Sequence, residues 1–141
     1  MGDHDFYGKA VMRQAVGSAF RDTGAEVRTT YGEKGGARID GVIGDTIAVE
    51  IESRVSKQVR GAVLDLICHA YPKKLLVLLP VHQDNTKLCA NQCLHILEKF
   101  VKPEECRVVI LTGSGRDDRL EADVACIRAV LQELGFPAHP V

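Results

Sequence analysis

The chain predicts a three-layer α/β/α fold with a mixed sheet, its elements running α-β-β-β-α-β-α-β-α. Three observations predict it. Short apolar segments of strand length alternate with longer segments whose apolar residues recur every three to four positions, over about residues 5–100. Three strand candidates come consecutively near residues 25–53, so a meander starts the sheet, whereas the later strands each arrive through a helix. Leu75-Leu76-Val77-Leu78-Leu79, closed by Pro80, is apolar at every position, as expected of a strand buried on both faces.

The elements follow in order. Phe6, Ala10, Val11, Ala15, Ala19 and Phe20 have helical spacing and predict a helix over 5–22 that stops at Gly24. Ala25 to Thr30 reads as a short strand, and Tyr31-Gly32-Glu33-Lys34-Gly35-Gly36 as a loop. A hairpin is expected over 37–43 and 46–53. Its register follows from its polarity pattern. A two-residue turn at Gly44-Asp45 would mix acids with aliphatics on both faces. A three-residue loop, Gly44-Asp45-Thr46, pairs Ile43 with Ile47, Gly41 with Val49 and Ile39 with Ile51, and makes one face apolar. The other face then holds Arg38, Asp40, Val42, Ala48, Glu50 and Glu52.

Ser53 or Ser56 is placed to cap a helix over 56–70 with the stripe Val59, Ala62, Val63, Leu66, Ile67 and Ala70. Lys57, Gln58, Arg60 and Asp65 lie largely off that stripe. After the apolar strand come a helix over 84–100 and the strand Cys106-Arg107-Val108-Val109-Ile110-Leu111. Asp117 or Asp118 caps a last helix with the stripe Leu120, Val124, Ile127, Leu131 and Leu134, ended by Gly135 and Pro137.

Bulk properties narrow the function classes. The 141 residues, 45% hydrophobic and 26% charged, fit a single globular domain over 1–141, with no internal repeat or low-complexity segment. No apolar run is long enough to span a bilayer, and the acidic start Met1-Gly2-Asp3-His4-Asp5 does not read as a signal peptide. The five cysteines form no Cys-x-x-Cys pair, which favours a reducing, cytoplasmic setting. A net charge of −1 argues against strong nonspecific nucleic-acid binding. Cations nevertheless gather between residues 34 and 74: Lys34, Arg38, Arg54, Lys57, Arg60, Lys73 and Lys74. With the hairpin acids neutralised by a metal, this region becomes locally basic.

Those acids are the sharpest functional signal. In the preferred register Asp40 stands opposite Glu50, with Cβ atoms roughly 5 Å apart. Two carboxylates at that distance can share one cation, and an acid inside a hairpin is costly unless something uses it. The competing expectation is a solvated sheet face with Arg38 paired to Glu52.

The element order, with acids on the second and third strands, resembles the PD-(D/E)xK nuclease superfamily, the restriction-endonuclease-like fold, whose core is α-β-β-β-α-β. The resemblance covers about residues 5–80. It places Asp40 at the first acidic position, Glu50 at the second, and Ile51 between the motif residues, where the family offers a backbone carbonyl to the metal. Glu52 stands where Lys is usual; some restriction endonucleases of this fold also carry Glu-x-Glu. The resemblance therefore implies phosphodiester hydrolysis with Mg²⁺ or Mn²⁺ bound by Asp40, Glu50 and the Ile51 carbonyl, and Glu52 or Lys57 positioning the attacking water. It further implies nucleic acid as partner, DNA foremost, met by Lys34, Arg38, Arg54 and Gln58, and a possible homodimer.

Other signals have simpler structural accounts. Cys89, Cys93 and His95, with His82 nearby, hint at zinc, but His95 points off the cysteine face and no fourth ligand is evident; small apolar core cysteines are the simpler account. His69 at a helix end suits a partner of the last carbonyls. Gly113-Ser114-Gly115-Arg116 between a strand and a helix suits a tight turn, or a Rossmann-like phosphate site. Two alternative functions follow: a nuclease fold that only binds nucleic acid or protein, and a Rossmann-like nucleotide or small-molecule module.

Overall fold

The computed structural model describes residues 3–29, 37–54, 56–80, 85–113 and 119–137. Helix α1 spans Asp3–Val16, β1 Phe20–Arg21, β2 Gly41–Ile43, β3 Ile47–Glu52, α2 Ser56–Cys68, β4 Lys73–Leu78, α3 Thr86–Leu97, β5 Cys106–Ile110 and α4 Leu120–Glu133. The fold is α/β. The five strands lie side by side in the order β1-β2-β3-β4-β5, antiparallel across β1-β2-β3 and parallel across β3-β4-β5. No helix among the described residues is long and apolar enough to cross a membrane.

Both faces of the sheet are covered. On one, Ile43, Ile47, Val49, Ile51, Leu75, Val77 and Val109 pack against Val11, Met12 and Ala15 of α1 and Val124, Ile127 and Leu131 of α4. On the other, Val42, Ala48, Leu76 and Leu78 pack against Val59, Ala62, Val63 and Leu66 of α2 and Cys89, Cys93 and Leu97 of α3. All six residues of β3 are buried as a result. The competing expectation of a solvated sheet face is thus set aside: α2 and α3 close over that face.

The predicted register holds from Gly41 to Ile43, whereas the expected pair of Ile39 with Ile51 does not form. Ile43 pairs with Ile47, Val42 with Ala48 and Gly41 with Val49, around a turn in which Gly44 has φ +59°. The left-handed backbone at that position is what closes a three-residue loop into a hairpin.

Three boundaries differ from expectation. The first helix does not run to residue 22. It ends at Val16, where Gly17 takes φ +60°, and Phe20 enters the sheet opposite Ile43. Gly41 makes this possible, because any Cβ there would meet the Phe20 ring. Phe6, one of the helically spaced apolar positions, is 61% exposed, and Met12 fills the core. The strand expected over 25–30 is a single 3-10 turn at Ala25–Val27 followed by an isolated bridge from Arg28 to Arg38.

The third difference matters most. The strand expected over 37–43 breaks at Asp40. Below the break, Thr29 N–H donates to the Ala37 carbonyl and Ile39 N–H to the Val27 carbonyl. Above it, residues 41–43 pair with β3. The chain therefore changes partner at Asp40, and Ile39 turns to the α2 side of the sheet rather than joining Ile43.

Candidate metal site

The break leaves β3 one partner short. Lys73 N–H donates to the Thr46 carbonyl and Leu79 N–H to the Glu52 carbonyl, so the even residues of β3 face β4. The odd residues face β2, and Ile51 lies beyond the end of the β2 ladder. Asp40 fills the gap: its Oδ2 accepts the Ile51 N–H at 2.7 Å. In return Glu50 Oε1 accepts the Asp40 N–H at 2.7 Å. The two acids are thus brought together, each bonded to the backbone of the opposite strand. By the same alternation the Ile51 carbonyl lies on the Asp40 edge of β3.

Glu50 is 7% exposed. Burial, then the nearby Asp40 carboxylate, raises its pKa well above the usual carboxylate range; Asp65 on α2 adds to the effect. The Asp40 N–H opposes the shift without cancelling it, while a side-chain hydrogen bond with Asp40 favours the protonated form. A proton occupies the electrostatic place a cation would take. The two carboxylates and the Ile51 carbonyl are the groups that could hold a divalent ion, one that keeps most of its waters. Among the described residues no group of three His, Cys, Asp or Glu side chains is arranged to hold a metal, so any such site is of this thin kind.

Glu52 is 5% exposed and shares Glu50's face of β3 by strand alternation. It does not pair with Arg38, which is exposed at its bridge to Arg28. Its carboxylate takes the Ser53 N–H at 3.1 Å and a two-pronged grip from Arg54, Nε at 3.1 Å and Nη2 at 3.0 Å. Gln58 is exposed on α2. Lys57 belongs to the first turn of α2, but its side chain, like the whole of Lys34, lies outside the described residues.

Two cations of the expected basic region are used internally. Lys73 Nζ donates to the Leu134 carbonyl. Lys74, 4% exposed, donates to the His69 carbonyl at 2.7 Å, and burial lowers its pKa to about 8. Neither presents its charge to a nucleic acid as the count of basic residues suggested.

The remaining sequence signals resolve structurally. Cys89 and Cys93 are buried together; burial and Cys89 push the Cys93 thiol up to about 12, while His95 is exposed on another side of α3. That is core packing rather than a thiolate zinc site. His82 lies outside the described residues. The His69 ring bonds the Glu26 carbonyl through Nε2 and accepts the Tyr71 N–H at Nδ1, instead of serving the last carbonyls of α2. Burial lowers its pKa, which keeps the ring neutral. Gly113 is buried where a Cβ would overlap the Tyr7 hydroxyl, so packing alone requires glycine there; residues 114–118, with Asp117 and Asp118, lie outside the described residues.

Two acids had no role assigned from the sequence. Asp65 reaches Glu50 electrostatically from the edge of the α2 stripe. Asp123, 1% exposed in the first turn of α4, binds the strand end at Thr112 and Gly113 together with Tyr7 of α1. Each carries a faint signal, an acid flanking an apolar helical stripe. Comparison with family models, with curated proteins and with solved structures gives no match.

Proposed function

We propose that this protein is a divalent-metal-dependent phosphodiesterase of the restriction-endonuclease-like kind, acting on nucleic acid and on DNA foremost. The observation that carries the reading is the pairing of buried Glu50 with half-buried Asp40 at the point where β2 leaves β3. A buried carboxylate with a raised pKa beside a second carboxylate is a recurrent mark of a functional site. The order α1-β1-β2-β3-α2-β4 supports the same reading, since it repeats the core order of the superfamily the sequence resembles.

In this reading Asp40, Glu50 and the Ile51 carbonyl hold Mg²⁺ or Mn²⁺. The bound ion would polarise the scissile phosphate and lower the pKa of its water. The residues do the rest. The Asp40–Ile51 and Glu50–Asp40 bonds fix both carboxylates at one place. Exposed Arg38, Arg54 and Gln58 meet the sugar-phosphate backbone, which is where most contacts to a duplex fall.

A second reading keeps the fold without catalysis, as a nucleic-acid-binding module, dimeric in the manner of the family it resembles; the acid Glu52 in the lysine position favours it. Incubation with plasmid and oligonucleotide DNA and Mg²⁺ or Mn²⁺ separates the two. The first reading expects cleavage that falls about 100-fold or more in Glu50→Ala. Binding without cleavage in either metal supports the second, and cleavage unaltered in Glu50→Ala contradicts the first.

A further inference from the structure

The lysine position of the motif is the departure that most needs a physical account. Glu52 adds a second buried acid two residues along β3 from Glu50, on the same face of the strand. One carboxylate so placed is costly unless neutralised. Its neutralisation comes from Arg54, and the shape of that contact is informative. The guanidinium grips the carboxylate through Nε and one terminal nitrogen, the fork geometry that fixes the plane of the group. The carboxylate is nearly closed from solvent, with its side chain 6% exposed, while the Arg54 side chain is 67% exposed. The Ser53 N–H holds the same carboxylate from the other side.

The carboxylate is thus the fixed half of the pair and the guanidinium the presented half. We propose, resting on the phosphodiesterase reading above, that Arg54 replaces the motif lysine as the cation meeting the scissile phosphate group, and that Glu52 is its positioning residue rather than a metal ligand. Arginine suits this task, because its planar donors match phosphate oxygens in pairs. A Lys at position 52 would extend its charge from the strand itself. Here the charge enters two residues later and is steered back by the acid at 52. The pair is neutral overall, with its negative end buried and its positive end turned to solvent.

Four proteins test this: wild type, Glu50→Gln, Glu52→Gln and Arg54→Gln, the fold of each checked by circular dichroism and thermal melting, because Arg54→Gln leaves the buried Glu52 carboxylate without its cation. Mn²⁺ is titrated calorimetrically into each, and binding of a fluorescent 20-base-pair DNA duplex is followed by anisotropy over a range of salt with Ca²⁺ present. The proposal expects Mn²⁺ affinity within about twofold of wild type in Glu52→Gln and Arg54→Gln, and its loss in Glu50→Gln. It expects duplex affinity to fall several-fold in both Glu52→Gln and Arg54→Gln, with the salt slope reduced by about one in Arg54→Gln, as for one lost phosphate contact. A merely structural ion pair would not move that slope. Mn²⁺ affinity falling tenfold or more in Glu52→Gln overturns the proposal by making Glu52 a ligand. An unaltered duplex affinity and slope in Arg54→Gln overturns it as well. A wild type that takes up neither Mn²⁺ nor duplex overturns the underlying phosphodiesterase reading, and the proposal with it.

Discussion

Two buried acids at opposite sides of the sheet have opposite chemistry. Asp123 sits beyond the end of β5, where its carboxylate takes four donors: the Thr112 N–H at 2.7 Å, the Thr112 hydroxyl at 2.8 Å, the Gly113 N–H at 2.8 Å and the Tyr7 hydroxyl. Burial alone would raise its pKa, but these donors outweigh burial and hold it below the ordinary value. Glu50 accepts the Asp40 N–H and otherwise faces other carboxylates, so burial wins and its pKa rises. Burial is common to both acids; the supply of donors differs. Asp123 has been given what a permanent carboxylate needs, and works as a clamp joining α1, α4 and the end of β5. Glu50 lacks such a set of donors, and it is at the Asp40–Glu50 pair that the proposed reading puts a cation.

The largest expected effect attacks the clamp. Asp123→Ala leaves two backbone N–H groups, a threonine hydroxyl and the Tyr7 hydroxyl without their acceptor. At roughly 1–3 kcal/mol for each buried donor so orphaned, the loss is about 3 kcal/mol or more, measured by urea unfolding at pH 7. A loss below about 1 kcal/mol would mean the two acids are less different than their surroundings indicate.

A smaller effect of opposite sign is expected at the site. The folded-state pKa of Glu50 is raised, so folding takes up a proton wherever the pH exceeds the unfolded value of about 4.5. The stability associated with Glu50 is fully present below that value and declines as pH rises toward the folded pKa. Glu50→Gln, which keeps the shape and drops the titration, should therefore unfold at higher urea than wild type at pH 8, by the equivalent of about 1 kcal/mol or more, with the gap closing near pH 4.5. Equal or lower stability of Glu50→Gln at pH 8 would place Glu50 in the same class as Asp123.

The two regions were unequally legible in the sequence. The hairpin register followed from polarity alone, because a one-residue slip exchanges the faces of a strand. The apolar run of β4 and the stripe of α4 were equally plain. Phe20 was not, since Ala19 and Phe20 continue the helical spacing of α1; the left-handed turn at Gly17 decides where the helix stops. The partner change at Asp40 was invisible as well. It depends on residues 27–29, distant in sequence from β3, capturing the backbone of 37–39. The pairing of Asp40 with Glu50 was expected from the ladder, and it occurs, but through backbone N–H groups exposed by the break rather than across an intact ladder. Burial of Glu52 and its grip by Arg54 depend on how α2 and α3 close over the sheet, and tertiary packing of that kind leaves little trace in local pattern. The Asp123 clamp joins residues 7, 112, 113 and 123, and only the assembled fold brings them together.

The most direct test of the contrast is anomalous diffraction from crystals of the full chain soaked with Mn²⁺ at pH 8. The account predicts one strong peak between the Asp40 and Glu50 carboxylates, about 2.2 Å from an oxygen of each and within reach of the Ile51 carbonyl, with the reciprocal backbone bonds lengthened or replaced. No peak there, with Glu50 still bonded to the Asp40 N–H, would contradict it.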